Sequence, residues 1–445
     1  MEETPESLKD QLIGDIIDTV GFKEGKPSLI VGRKKNGTQS DDALLYNEYL
    51  WHLYSMKGVR VASKLNNLRY SLRKGDGIFG MELLPVFSNL KRANKRSFSD
   101  FEKEFDLMAE NIKNLPLTRF TAAFALSFKT KQELSFKIDI HRFRIISYDQ
   151  FQQEFFNFDK EIQQAAELSK YSIQELKKLS EGLSFLIIEV VSRNHMFAQN
   201  CALKILQFAL GMLIFSIAVT KGDTYTLSGS TEKSKLVLSA FFIFEGAKKL
   251  GAGSFSSERP FVENIEEDDL RNLEVSLDYF NEIRDKELKD VIFNALIAYY
   301  WASVDRELDD SAFKYWTCIE QLLLKSVRTT GTEIVERIKH MPVWGQNRYL
   351  EYQIENLYEK RNRYAHEYNA DIHQIERNLA KAIADALLHF LLAENQSFLK
   401  KRELLRFYEL IQKDSDELKH KLHRDAQALD DTERMTKLIL ELRES

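Results

Sequence analysis

The hydrophobic periodicity of the chain changes near residue 260, and this change most limits the possible fold. Before it, Phe136, Ile138 and Ile140 alternate with polar residues, which is typical of a half-buried strand. Continuous apolar segments at 184–191 and 236–244 predict two further strands. After residue 260, apolar residues recur at helical spacing and no segment has the pattern of a strand. We therefore predict an α+β fold for the first part of the chain and an all-α fold for the rest.

The length of 445 residues exceeds one average hydrophobic core, so we expect more than one domain. The Gly- and Ser-rich segment 251–260 is the best boundary candidate. We predict an α+β sensor or regulatory domain at 1–260, an all-α four-helix bundle at 270–397 and a charged helical extension at 398–445.

An apolar helix is expected from about residue 198 to residue 215. Its most apolar stretch, 205–219, has about 15 residues and is too short to span a bilayer, so we expect a buried core helix and no membrane partner. Helical periodicity also predicts two helices near the N-terminus, at 7–19 and 42–56.

Four later segments carry apolar residues at helical spacing, and their short connections favour a bundle. They lie at 288–306, 312–326, 347–366 and 371–392. Asp371 and Gln374 form a candidate capping box for the last of them. The stretch around Gly331, Pro342 and Gly345 is less regular, and the charged extension is expected to pack on the bundle or on a partner.

Composition excludes several classes of protein. Two cysteines cannot form a disulfide framework, and the acidic N-terminus lacks the apolar core of a signal peptide, so we expect a cytoplasmic protein. No Cys/His spacing resembles a zinc site, and we expect no metal or cofactor. The net charge of -5 argues against a protein that coats nucleic acid but leaves room for a local basic cleft.

One histidine, His366, stands out because it alone among nine follows an arginine by five to seven residues. The surrounding segment 357–367 has the sequence LYEKRNRYAHE. Asn362 and His366 are four residues apart and share a helical face, so the amide can orient the imidazole. Arg361 and His366 are five apart, which on a regular helix separates them by about 140°.

These residues suit the cleavage of RNA without a metal. An imidazole titrates near neutrality and can act as base or acid on the ribose hydroxyl and the leaving oxygen. A guanidinium stays cationic and offers planar donors to phosphate oxygens. Arg361, His366 and Asn362 are candidate catalytic residues because they match the family signature described next, and Lys360, Arg363 and Tyr364 are weaker substrate-binding candidates.

The segment resembles the signature of HEPN ribonuclease domains, and most closely that of the Apea-like group. Shared features are Leu357-Tyr358, then Arg361-Asn362, then Ala365-His366, although Glu367 replaces a glycine. The segment 316–323 is similar to that family's second helix, and the resemblance covers about 285–395.

The resemblance implies a HEPN four-helix bundle that forms a homodimer or a higher even oligomer, with both motifs facing one cleft. It implies a metal-independent endoribonuclease that leaves 2',3'-cyclic phosphate ends on single-stranded RNA, for which tRNA loops are the favoured substrate. It also implies a role in antiphage defence by abortive infection, in which a phage-derived trigger is a candidate partner.

Other interpretations stay open. The basic residues could be a solvated helix end with His366 favoured by the helix dipole, and Glu320 could be a partner of the site or an ordinary buried glutamate. The main alternative function is a non-catalytic HEPN module that binds nucleotide, RNA or a partner protein. A third is a structural adaptor.

Further candidate residues have simpler explanations. His195 lies at a predicted join between a strand and a helix, and the charges around His141 fit a strand edge. The segment 32–37 lacks a phosphate-loop pattern, and Tyr299, Tyr300 and Trp301 include helical core positions. His420 and His423 are a weak metal pair without a third ligand.

Overall fold

The computed structural model describes most of the chain. The described residues are 6–23, 26–29, 79–129, 133–138, 141–155, 181–193, 195–220, 238–245, 248–254, 263–265, 267–305, 307–324, 329–341, 348–367, 371–393, 400–413, 437 and 439. Within these residues the fold is α+β, mostly helical with a small sheet.

The helices and strands are numbered here in chain order. The helices are α1 (Glu6–Thr19), α2 (Phe79–Arg92), α3 (Phe98–Asn114), α4 (Tyr148–Phe155), α5 (His195–Thr220), α6 (Glu267–Glu282), α7 (Lys286–Val304), α8 (Leu308–Leu322), α9 (Gly331–Lys339), α10 (Arg348–Glu367), α11 (Gln374–Ala393) and α12 (Lys401–Leu410). The strands are β1 (Val20–Lys23), β2 (Lys26–Leu29), β3 (Thr118–Leu126), β4 (Phe128–Lys129), β5 (Leu134–Ile138), β6 (His141–Ile146), β7 (Ser184–Ser192), β8 (Leu238–Glu245), β9 (Lys248–Ser254) and β10 (Glu263–Asn264).

Six strands form one sheet in the order β5-β6-β7-β3-β8-β9. The pairs β5–β6 and β6–β7 are antiparallel. Phe136 and Ile138 are buried on β5 while Lys137 between them is exposed, which confirms the predicted alternation. Phe136 pairs with Phe143 across the two strands, and their rings stack with centroids 5.0 Å apart. The predicted strand at 184–191 is confirmed as β7, and Leu238–Glu245 confirms the next.

Some predictions for the first part need correction or fall outside the described residues. Gly251 to Ser254, the start of the predicted boundary segment, belong to strand β9. Ile140, the segment 32–37 and the predicted helix at 42–56 lie outside the described residues. The helix predicted at 7–19 is present as α1.

Helix α5 has 26 residues and is longer than its sequence pattern indicated. Its segment Ala198–Val219 has the length and apolarity to cross a membrane, and 83% of its most apolar window is buried inside the structure. The Phe208 ring stacks on Phe293 of α7 at 4.7 Å. A Cβ at Gly211 would lie 2.2 Å from the Leu296 carbonyl oxygen, so α5 and α7 touch backbone to backbone at this glycine.

The chain divides into two compact units. The first comprises 1–121, 190–202 and 243–250, and the second 122–189, 203–242 and 251–445. All helices from α6 onward therefore belong to the second unit. The division into domains at 1–260, 270–397 and 398–445 stays a prediction.

The four predicted C-terminal helices are present as α7, α8, α10 and α11. Helix α8 lies at the centre of this group, because it packs against each of the other three. It ends at Leu322, earlier than predicted, and Leu324 takes a left-handed conformation with φ 57°. The assignment of this group to the HEPN fold stays a prediction.

Two local predictions in this region were wrong. The stretch beginning at Gly331 is helix α9, whose first turn is capped by Thr330 and Glu333 in a capping box. The cap of α11 is not formed by Asp371 and Gln374: Asp371 has φ 47°, and the backbone N–H of His373 donates to the Glu376 carboxylate. The backbone N–H that donates to a first-turn glutamate is thus that of His373, two residues after the predicted cap.

Helix α12 comes from the predicted charged extension, yet it belongs to the bundle core. Leu404, Phe407 and Tyr408 are buried, and the Phe407 ring lies 5.4 Å from that of Phe390 on α11. The Tyr408 hydroxyl donates to the Leu322 carbonyl at the end of α8, at 3.0 Å. This helix therefore covers the end of the bundle; residues 414–436 lie outside the described part.

Candidate functional site

All six predicted site residues lie in the last two turns of helix α10. Ile354 and Leu357 bury one side of this helix, and the Tyr358 ring packs 5.8 Å from Trp316 on α8. The packing of α10 on α8 therefore fixes the direction in which the motif residues leave the helix.

Arg361 is directed toward α8 and forms an ion pair there. Its Nη2 lies 2.9 Å from Glu320 Oε1, and the Trp316 indole N–H donates to the same oxygen at 3.0 Å. The guanidinium carbon also lies 5.4 Å from the centre of the Phe313 ring, within reach of a cation–π interaction. The side chains of Arg361 and Glu320 are only 18% and 13% exposed, so water screens this pair less than a surface pair.

The guanidinium keeps donors for a further anion. Its Nη1 donates to the Asn362 side-chain oxygen at 3.1 Å. Its Nε is buried and has no hydrogen-bond partner in the part of the chain that the structure describes. An arginine has five N–H donors, so an oriented guanidinium with one carboxylate partner can still bind a phosphate oxygen.

Asn362 contacts Arg361 through its side-chain oxygen rather than standing free beside the helix. The backbone of residue 366 continues α10. The side chain of His366 lies outside the described residues, so its pairing with Arg361 or Asn362 stays a prediction.

Lys360 and Tyr364, two of the weaker substrate-binding candidates, have partners inside the chain. Lys360 Nζ lies 2.5 Å from Glu376 Oε1 and donates to the Asp371 carbonyl at 3.1 Å, which ties α10 to the start of α11. Burial raises the pKa of Glu376, but hydrogen bonds from Lys360 and from backbone N–H groups outweigh this, and the pKa lies below its ordinary value.

The Tyr364 hydroxyl donates to the Asp310 carboxylate on α8. This hydrogen bond, with burial and the charges of nearby aspartates, raises the pKa of Tyr364 to about 12. Arg363 differs from both because it is exposed and makes no hydrogen bond or ion pair with the described residues. It is the basic side chain of the motif that solvent reaches most freely.

The other sequence candidates take structural positions. His195 begins α5 directly after β7, at the predicted join, and burial lowers its pKa. Arg144, near His141, pairs with Glu154 at 2.7 Å, but strand β6, which carries Arg144 and His141, lies between β5 and β7, so the prediction of a strand edge was wrong. Tyr299 and Tyr300 are buried core residues. Among the described residues no cluster of His, Cys, Asp and Glu could hold a metal ion, and His420 and His423 lie outside them.

A buried polar network inside the bundle was not found from the sequence. The Tyr299 hydroxyl donates to Asp385 at 2.6 Å, and Lys381 Nζ lies 2.6 Å from the same carboxylate. The attraction of Asp385 keeps the pKa of Lys381 above its ordinary value although burial alone would lower it. The sequence signal that could have revealed this network is a Lys and an Asp four residues apart on a helix that is otherwise apolar.

Comparison of the chain with protein-family models, with curated proteins and with solved structures found no match.

Proposed function

We propose that this chain is a metal-independent endoribonuclease that cuts single-stranded RNA, with tRNA loops as favoured substrates. The observation that carries the proposal is the orientation of the Arg361 guanidinium by Glu320, Trp316 and Asn362 at the end of α10. The resemblance to HEPN ribonucleases implies an arginine a few residues before a histidine, and in this chain that arginine is held in one orientation. We also propose, from the same resemblance, that the protein acts in antiphage defence by abortive infection.

In this mechanism His366 removes the proton of the ribose 2'-hydroxyl or protonates the leaving 5'-oxygen, which contributes roughly a hundredfold to ten-thousandfold. Arg361 stabilises the charge that develops on the phosphate oxygens, which is worth about 3 to 4 kcal/mol for a well-placed donor. The products are a 2',3'-cyclic phosphate and a 5'-hydroxyl.

The relative positions on α10 favour a site built by two chains. Arg361 is directed toward α8, and residue 366 follows about 140° around a regular helix. A two-fold dimer presents the arginine of one chain and the histidine of the other to one phosphate. We therefore propose that the active form is a homodimer.

The test is incubation of the full-length protein with total RNA in excess chelator, followed by mapping of the cut ends. Arg361→Ala and His366→Ala should each lower the cutting rate by about a hundredfold or more, while the matched variants Arg271→Ala and His373→Ala keep the wild-type rate, because both replace exposed side chains that make no contact with Arg361. Cutting that needs a divalent metal, or that survives both motif substitutions, would contradict the proposal.

The ion pair between Arg361 and Glu320 also favours a second candidate, a non-catalytic module. A paired arginine can serve the fold alone, and the exposed Arg363 then binds nucleotide, RNA or a partner protein. RNA that is bound but left intact by the wild-type protein, with affinity lost in Arg363→Ala, would identify this second function.

A further inference from the structure

We infer that Glu320 is the positioning residue of Arg361, which deepens the proposed function and rests on it. Three contacts restrain the Arg361 guanidinium. Glu320 Oε1 lies 2.9 Å from Nη2, Asn362 Oδ1 accepts from Nη1, and the Phe313 ring faces the guanidinium carbon. A long, flexible side chain is thereby held in one orientation.

Glu320 is itself held in place. The Trp316 indole donates to the oxygen that faces Arg361, and Trp316 is buried and lies one turn before Glu320 on α8. Since Trp316 also packs against Tyr358 on α10, the two helices that carry Glu320 and Arg361 share one contact. The carboxylate is therefore a rigid support rather than a mobile surface charge.

The Arg361 guanidinium keeps N–H donors that its partners in the chain do not use. Glu320 takes one N–H of Nη2 and Asn362 takes one N–H of Nη1, and each of these two nitrogens carries a second N–H. The carboxylate fixes the plane of the guanidinium and leaves donors for a phosphate oxygen. Glu320 touches no reacting atom and acts through Arg361, so it has a different role from the catalytic pair.

The first test is a double-mutant cycle in the full-length protein. Glu320→Gln should lower kcat by between about tenfold and a hundredfold with little change in KM, because a misplaced catalytic group loses rate rather than binding. In an Arg361→Ala background the same substitution should have no further effect. Additive losses, or an unchanged kcat in Glu320→Gln, would overturn the inference.

The matched control is Glu355→Gln. Glu355 lies on α10 and pairs with Lys339 at 2.5 Å, so its substitution also removes an ion pair but leaves Arg361 untouched. We expect its kcat to equal that of the wild type. If Glu320→Gln does not fold, Glu320→Asp replaces it in the cycle, because it keeps the charge and withdraws the oxygens by one methylene.

A second measurement does not depend on cleavage. Arginine side-chain NMR should show slow rotation of the Arg361 guanidinium in the wild type and in Glu355→Gln, and fast rotation in Glu320→Gln. If rotation is slow in the wild type and fast in Glu320→Gln, but the wild type cuts no RNA, the positioning role is supported and the proposed function is rejected. Fast rotation in the wild type would reject the positioning role whatever the cleavage assay gives.

Discussion

At the scale of single residues, one hydroxyl shows how motif side chains can serve the fold. Tyr364 was a candidate for substrate contact, but its hydroxyl donates to Asp310 and its ring lies 5.5 Å from Phe313. A tyrosine with these two partners fixes the end of α10 against the start of α8. The sequence showed the residue but not its partner, because Asp310 precedes it by more than fifty positions.

We expect Tyr364→Phe to lower the free energy of unfolding by about 0.5 to 1.5 kcal/mol at neutral pH, the usual contribution of one hydrogen bond. The pKa of Tyr364 is raised to about 12, so its stabilising effect is present below the ordinary value near 10 and is lost as pH rises from about 10 to 12. Urea unfolding at several pH values measures this. Above pH 10 the free energy of unfolding should fall less in Tyr364→Phe than in the wild type. Tyr352→Phe, at a 66% exposed tyrosine of the same helix, should behave like the wild type.

At the scale of helices and strands, the contact between α5 and α7 is limited by Gly211. An added Cβ would lie 2.2 Å from the Leu296 carbonyl oxygen, and a backbone atom cannot move aside as a side-chain end can. We expect Gly211→Ala to destabilise the protein by about 1 to 3 kcal/mol, as overpacking does. Thermal unfolding measures this effect.

The control for Gly211→Ala is Gly14→Ala in α1, where the nearest atom would be 3.9 Å from the new Cβ. Alanine favours a helix over glycine by about 0.5 to 1 kcal/mol, so this variant should unfold at a higher temperature. Equal effects of the two substitutions would show that α5 and α7 are not in close backbone contact.

Periodicity predicted the elements well, and contacts between them poorly. Helices α7 and α10 and strand β5 were expected within a few residues, because each buries one side and so repeats apolar residues at a fixed spacing. Strand β7 was expected because its segment is apolar almost throughout, and it is buried at most positions. Helix α9 was missed because Gly331 was taken as a break, although Thr330 and Glu333 cap it. The ion pair between Arg361 and Glu320 joins two different helices. The spacing of apolar residues within one helix carries no information on which residue of another helix it will contact.

At the scale of the whole molecule, the bundle continues beyond its predicted limits in both directions. Helix α5 packs on α7 through Phe208, and α12 packs on α11 through Phe407. Both contacts lie within the second compact unit. The predicted regulatory role of residues 1–260 therefore needs a test other than their removal, because removal also deletes α5.

We expect a fragment of residues 270–445 to lack a cooperative thermal transition, because it loses α5 and exposes the side of α7 that packs on Phe208 and Gly211. Circular dichroism on heating measures this, with the full-length protein as reference. A sharp transition in the fragment would show that the bundle folds alone.

The burial of α5 also has a consequence during synthesis. This helix ends at Thr220, and the chain must grow by about 84 residues before Val304 completes the helix that covers it. At typical rates of translation this takes roughly 4 to 17 seconds. For that time the nascent chain carries an uncovered apolar segment as it leaves the ribosome, and chaperones that recognise such segments have their best opportunity to bind it.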